Sequence, residues 1–126
     1  MCYDIYNNGV YKENNPLWGA DDASWKANKI LCFMEKHKIC VRTICDIGCG
    51  SGIILDILQK NHNNQLSLFG IDIAKVAVEM CESRNIPNSR FVLGNILDFS
   101  LYPESSDLIL CVDVLEHIDR KSTRLN

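Results

Sequence analysis

The sequence predicts an α/β protein in which a parallel β-sheet carries helices on both faces. Short apolar runs of strand length alternate with segments whose apolar residues recur at helical spacing. A cluster of glycines directly follows the first of these runs. With 126 residues, 47% of them hydrophobic and 23% charged, the chain has the size and composition of one soluble domain.

The individual elements follow from the apolar pattern. A first helix is predicted over about 23–37, where the apolar positions repeat every three to four residues. Residues 43–47 are β-branched and apolar, which predicts the first strand. The later elements are, in chain order, a helix at 53–58, a strand at 66–71, a helix at 74–84, and strands at 90–93 and 108–112.

The connections between these elements predict the strand order. Right-handed crossovers place the second strand beside the first, the third beyond it, and the fourth on the other side, which gives the order 3-2-1-4. In such Rossmann-like sheets the ligand crevice opens where the order reverses. We therefore expect the crevice at the carboxyl ends of the first and fourth strands.

The glycine cluster lies at this predicted crevice. Residues 44–52 read ICDIGCGSG, with Asp46 on the strand and Gly48, Gly50 and Gly52 spaced G-x-G-x-G. Glycines let the main chain turn sharply and approach a ligand without a Cβ in the way. The next helix then offers free N–H groups at its N-terminus.

A second acid, Asp72, ends the next predicted strand about twenty residues after the loop. Rossmann-type proteins bind ribose hydroxyls at this place, and one carboxylate can accept two such hydrogen bonds. The alternative is that Asp72 is a solvated acid that caps the helix beginning near Ala74. The sequence leaves both interpretations open.

Four motifs in the correct order resemble those of class I S-adenosylmethionine-dependent methyltransferases. They are ICDIGCGSG at 44–52, GID at 70–72, GNI at 94–96 and DLILCVDVLEH at 107–117. The resemblance covers about residues 23–118 and implies a Rossmann-like domain with S-adenosylmethionine as cofactor. A complete domain of this family continues with three more strands, so the resemblance also implies a chain truncated before them.

The resemblance assigns site residues position by position. It places the methionine end of the cofactor at the glycine loop, the ribose at Asp72 and the adenine near Ile73 and Asn95. Asn95 stands where the family more often has Asp, and its amide oxygen can still accept from the adenine amino group. The residues predicted to bind the cofactor are Asp46, Gly48, Cys49, Gly50, Gly52, Asp72, Ile73, Asn95, Ile96 and Cys111.

His117 is the one candidate for a catalytic base. A weakly nucleophilic acceptor would need a base, and His117 is the remaining histidine near the predicted crevice. Asp113, Glu116 and His117 have the spacing of one helix face, which also suggests an acid–base cluster or metal ligands. We favour helix-start acids with a positioning histidine, and we predict no metal.

The chain is predicted to have three parts. Residues 1–22 form an N-terminal arm, and 23–118 form the front part of the cofactor-binding domain. Residues 119–126 (DRKSTRLN) can be encoded by a string that matches a common sequencing adapter, so we expect a non-native tail.

The aromatic residues in and near the arm suggest a lid over the cofactor, or anchoring of the first helix by the two tryptophans. They are Tyr3, Tyr6, Tyr11, Trp18 and Trp25.

Charge, cysteine pattern and hydropathy limit the function. The net charge of -3 argues against nucleic acid as partner, and no apolar run or leader pattern indicates a membrane span or secretion. We therefore expect a cytoplasmic protein. The seven cysteines are odd in number and several lie in apolar runs, so no disulfide framework is predicted. They also lack C-x-x-C spacing, which argues against a zinc site.

The predicted function is methyl transfer from S-adenosylmethionine to a small-molecule acceptor that the sequence does not identify. One alternative is a nicotinamide-dependent oxidoreductase, although Ile53 stands where that fingerprint has its third glycine. Others are an aminopropyltransferase and a cofactor-binding fragment without turnover. The acceptor and the oligomeric state cannot be predicted, since fold analogy does not fix a substrate.

Overall fold

A computed structural model describes residues 20–112 and 114 of the chain. The helices are α1 (Ala20–Lys36), α2 (Ile53–Asn61) and α3 (Lys75–Ser83), and a short 3-10 helix spans Phe99–Leu101. The strands are β1 (Thr43–Ile47), β2 (Ser67–Asp72), β3 (Ser89–Leu93) and β4 (Leu108–Leu110). Within these residues, no helix combines the length and apolar character that a membrane crossing requires.

The four strands form a parallel sheet with the order β3-β2-β1-β4. The predicted fold class and strand order are therefore confirmed. Every predicted strand and helix is present, and most bounds shift by one to three residues. Helix α1 begins three residues earlier than predicted, and β4 ends at Leu110 rather than at 112.

Two apolar clusters lie on opposite faces of the sheet. The larger cluster contains Ile44 of β1, Leu68 of β2 and Leu110 of β4, together with buried residues of α2 and α3. Residues Ile30 and Leu31 of α1 pack against it. All three described α-helices thus cover one face, and α1 also packs against α2.

The second face carries a smaller cluster. It contains the buried residues Cys45, Phe69 and Ile71, which alternate along β1 and β2 with the residues of the larger cluster. Leu101 and Tyr102, at and after the 3-10 helix, pack against it. Among the described residues, a 3-10 turn rather than an α-helix covers this second face.

Most cysteines of the described residues are free. Cys40 and Cys111 are exposed thiols, whereas Cys45, Cys49 and Cys81 are buried ones. Cys32 is disulfide-bonded, which the odd cysteine count did not predict. Small buried thiols behave as apolar groups, and those of β1 and α3 accordingly belong to the two clusters.

Candidate cofactor site

The glycine loop, residues 48–52, joins β1 to α2 at the carboxyl edge of the sheet. The backbone N–H groups of Gly48 and Cys49 both donate to the carbonyl oxygen of Ile71, at 2.8 and 3.0 Å. The N–H of Gly50 donates to Oδ2 of Asp72 at 2.9 Å. The loop is therefore fastened to the end of β2, and the two motifs predicted to share a site are in direct contact.

The three glycines of the loop all have positive φ, but their missing side chains serve different purposes. A Cβ on Gly48 would lie 2.6 Å from Cγ2 of Val114, and one on Gly52 would lie 2.9 Å from Sγ of Cys81. A Cβ on Gly50 would meet nothing within 4 Å. Of the three, Gly50 is therefore the one that borders open space, while the other two permit close packing within the protein.

Asp72 connects the ends of three strands through its side chain and its backbone. Its Oδ1 accepts from the N–H of Ala74 at 2.9 Å, just before α3 begins, and its backbone oxygen accepts from Gly94 at 3.0 Å after β3. The carboxylate thus fixes the backbone just before α3 and also holds the loop. Each carboxylate oxygen keeps a further acceptor site for a ligand.

Asp46 is a buried carboxyl group at the end of β1. It is 2% exposed, and no described residue donates a hydrogen bond to its side chain. Burial, with a smaller contribution from the negative charge of Asp72, raises the pKa of Asp46 to about 7. A cation bound at this edge of the sheet would favour the charged form of Asp46.

The residues expected around the adenine lie at the ends of β2 and β3. Ile73 is 72% exposed, an unusual environment for a large apolar side chain that follows Asp72 directly. Asn95 is exposed, and its Oδ1 accepts from the N–H of Leu97 at 2.9 Å. Ile96 is half-buried against the smaller cluster, and its oxygen accepts from the hydroxyl of Tyr102.

The fourth strand contributes less to the described site. Cys111, the residue after β4, is exposed at the same carboxyl edge. The candidate base His117, with Asp113 and Glu116, lies outside the described residues, as do Tyr3, Tyr6, Tyr11 and Trp18 of the arm. Trp25 lies within α1, half-buried, with Nζ of Lys29 5.0 Å from its ring centroid.

Sequence reasoning missed two residues behind the loop. Cys81 and Arg84, at the end of α3, donate hydrogen bonds to the carbonyl oxygens of Gly50 and Ser51. Their spacing of three places both side chains on one side of the helix end. Only the fold brings that helix end to a loop more than thirty residues earlier, so no local motif indicated the contact.

Two cavities lie at the opposite, amino edge of the sheet. Their volumes are about 740 and 820 Å³, and both are lined by Thr43, Gln65 and Ser67. Neither contains the glycine loop or an acid at a strand's carboxyl end. In open α/β sheets ligands bind at the carboxyl ends of strands, so we assign the site to the loop and not to these cavities.

Comparison with known proteins decides the family. A family model described as a methyltransferase domain matches residues 44–125, which include the glycine loop, Asp72 and all four strands except the first residue of β1. This chain belongs to that methyltransferase family. The resemblance drawn from the four motifs is confirmed.

Curated relatives of this methyltransferase chain act on different molecules, according to their names. The tRNA N(3)-methylcytidine methyltransferase Mettl2 of Drosophila melanogaster is 36% identical over 88 residues, which are 64% of this chain and 27% of that protein. The mitochondrial ubiquinone biosynthesis O-methyltransferase of Schizosaccharomyces pombe is 27% identical over 94 residues, or 70% and 33%. The chain spans a third or less of the length of these relatives.

Solved structures support the fold of the methyltransferase chain. The plantazolicin methyltransferase BpumL, in complex with SAH, superposes with a TM-score of 0.64 at 23% identity. The match covers 87% of this chain and 44% of that one. At this level of identity the likeness establishes the fold, and the substrate has to be argued from the site.

Proposed function

We propose that this chain binds S-adenosylmethionine at the carboxyl edge of its sheet and supports transfer of the methyl group to an acceptor. The observation that carries the proposal is the 2.9 Å hydrogen bond from Gly50 to Asp72. This hydrogen bond brings the glycine loop, which borders open space at Gly50, next to the Asp72 carboxylate, which is suited to bind the hydroxyls of a ribose. A sugar and a group attached to it could therefore contact both motifs at once.

The residues at this edge fit the parts of that cofactor. Asp72 would hold the ribose hydroxyls through the free acceptor sites of its carboxylate. Exposed Ile73 would provide an apolar wall for the adenine, with Asn95 and Ile96 beside it. The loop, Asp46 and Cys111 would surround the amino-acid part. The proposed set is thus Asp46, Gly48, Cys49, Gly50, Gly52, Asp72, Ile73, Asn95, Ile96 and Cys111.

The cofactor supplies the reactivity when bound, because a methyl group on a sulfonium is already activated for transfer. The residues of the chain would bind the cofactor and orient it. Burial raises the pKa of Asp46 to about 7, so a cationic ligand at this edge would favour its charged form and would in turn be stabilised by that charge. Alignment of donor and acceptor accounts for most of the catalysis expected of such a site.

The acceptor we propose is a small molecule. The chain's net charge of -3 is opposite to that of proteins that hold phosphate backbones, and one of the relatives acts in ubiquinone biosynthesis. RNA is the competing acceptor, because Mettl2 is named for tRNA. Salt-sensitive binding of tRNA by the full chain, with no transfer to small hydroxylated aromatics, would favour RNA instead.

The cofactor assignment is tested by titration calorimetry with S-adenosylhomocysteine and with NADH. We expect binding of the first and none of the second. Asp72→Asn should weaken S-adenosylhomocysteine binding by about ten- to a hundredfold, since hydrogen bonds to a charged group contribute about 1.5–3 kcal/mol.

A matched control is available at the 3-10 helix. Asp98 accepts from the backbone N–H two residues later, as Asp72 does, but it has no contact with the loop. Asp98→Asn should therefore leave the affinity unchanged. Equal losses in the two variants would refute a ribose-binding role for Asp72, and NADH binding alone would refute the cofactor.

A further inference from the structure

The glycine loop is held from behind by the C-terminal end of α3. Nε of Arg84 donates to the carbonyl oxygen of Ser51 at 2.6 Å, and Sγ of Cys81 donates to that of Gly50 at 3.1 Å. On the other side of the same segment, the N–H of Gly50 donates to Asp72. Two successive peptide groups of the loop are therefore fixed in orientation by side chains from another element.

These contacts determine where the loop's backbone donors point. In a trans peptide the C=O and N–H groups point in opposite directions. Because the carbonyl of Gly50 faces Cys81, the N–H of Ser51 points away from α3. That N–H has no acceptor among the described residues. It is a preoriented donor at the edge where a ligand would lie.

Arg84 is the stronger of the two holding groups. Its guanidinium is charged, and charged donors form stronger hydrogen bonds than a thiol does. Its Nη1 also lies 3.7 Å from Oδ2 of Asp56, in the first turn of α2. Arg84 therefore connects the end of α3, the loop and the start of α2. Its side chain is half-buried, and it contacts the loop and α2.

We propose that Arg84 is a positioning residue for the glycine loop and, through it, sets the affinity for the amino-acid part of the cofactor. This rests on the proposed function, in which that part of the cofactor lies against the loop and the nucleoside lies against Asp72. Arg84 itself does not touch the ligand. Its loss should leave the nucleoside end of the site intact.

Two ligands separate positioning from general stability. S-adenosylhomocysteine has an amino-acid part, whereas 5′-methylthioadenosine has the same adenosine and sulfur without it. In Arg84→Met we expect the dissociation constant of the first to rise about tenfold or more, as the loss of one charged hydrogen bond predicts. The affinity for 5′-methylthioadenosine should change less than about threefold, which is about the variation expected when two sites act independently.

Two further variants sharpen the test. Arg84→Lys keeps a cation that can reach the Ser51 carbonyl but lacks the planar fork, so it should restore part of the loss. Lys60 pairs with the same Asp56 carboxylate at 3.5 Å, is 71% exposed, and has no contact with the loop. Lys60→Met is therefore the matched control for loss of a cation, and both affinities should equal those of the wild type.

The outcomes distinguish the two proposals. If Arg84→Met weakens both ligands equally, or neither, the positioning role is wrong while the cofactor assignment stands. If the wild-type full chain binds neither ligand, the proposed function fails and the role of Arg84 fails with it. Thermal unfolding of each variant in parallel shows whether a lost affinity reflects an unfolded protein.

Discussion

At the scale of single residues, Asp46 gives a prediction about pH. Its pKa in the folded protein, about 7, is above the ordinary value of 3.8. Between these values the folded state binds more protons at this site than the unfolded state, so the site's contribution to stability falls as pH rises from about 4 to 7. Below and above that window the contribution is constant.

Asp46→Asn should remove this dependence. The amide does not titrate, so any cost of burying it shifts the stability by the same amount at every pH. In urea unfolding, the variant should gain about 2–4 kcal/mol relative to the wild type between pH 4.5 and pH 8. A difference that stays constant over this range would show that Asp46 ionises normally in the folded protein.

The residue scale also shows what the sequence could and could not predict. The proximity of Asp46, the glycines and Asp72 was predictable because each occupies a fixed offset from a strand end, and parallel strands place such ends side by side. Arg84 was not, because its contact with Ser51 depends on how α3 packs. The distinct role of Gly52 was missed for the same reason, since its neighbour is Cys81 of another element.

At the scale of elements, the packing of the loop against α3 can be tested with the glycines. Gly50→Ala should cost about 1 kcal/mol of stability, the strain of an alanine at positive φ, because no atom obstructs its Cβ. Gly52→Ala suffers the same strain and also overlaps Cys81, so its cost should be about 2–4 kcal/mol.

A double mutant isolates the overlap. In a Cys81→Ala background the sulfur is absent, and Gly52→Ala should then cost about as much as Gly50→Ala does alone. Urea unfolding of the four proteins in this cycle gives the coupling between the two positions. Additive costs would mean that Gly52 is required for its backbone conformation and not for the close approach of α3.

The bounds of a strand were predictable where both of its faces are buried. Strand β1 matches its predicted bounds because its three central residues are buried and the glycine cluster directly follows its last residue. Strand β4 is shorter than predicted because the run 108–112 stays apolar after its pairing with β1 stops at Leu110. The 3-10 helix was missed, since three residues carry no periodicity.

At the scale of the whole molecule, β4 lies at one edge of the sheet that the described residues form. Ile109 is 60% exposed on the face opposite the helices, and in the described structure β4 pairs with β1 alone. Exposed apolar edge strands promote association. The 126-residue chain should therefore self-associate, and Ile109→Lys should reduce the weight-average mass measured by sedimentation.

Val76 offers the comparison for that experiment. It is 63% exposed and lies on α3, not on β4. Val76→Lys changes charge and exposed apolar area in a similar way and should leave the association as it is. If both substitutions reduce the mass equally, general surface hydrophobicity and not the edge of β4 causes the association.

The strand order also affects the sequence of steps in which the sheet can form. Strand β1 pairs with β2 across a short stretch of chain, Thr43 opposite Ser67, but with β4 across a much longer one, Ile44 opposite Leu108. Closing the longer loop costs about 1 kcal/mol more in chain entropy. Pairing of β1 with β2 is thus favoured over pairing of β1 with β4 as the chain folds, and we expect the wall of the crevice that β4 provides to be the last part of the sheet to form.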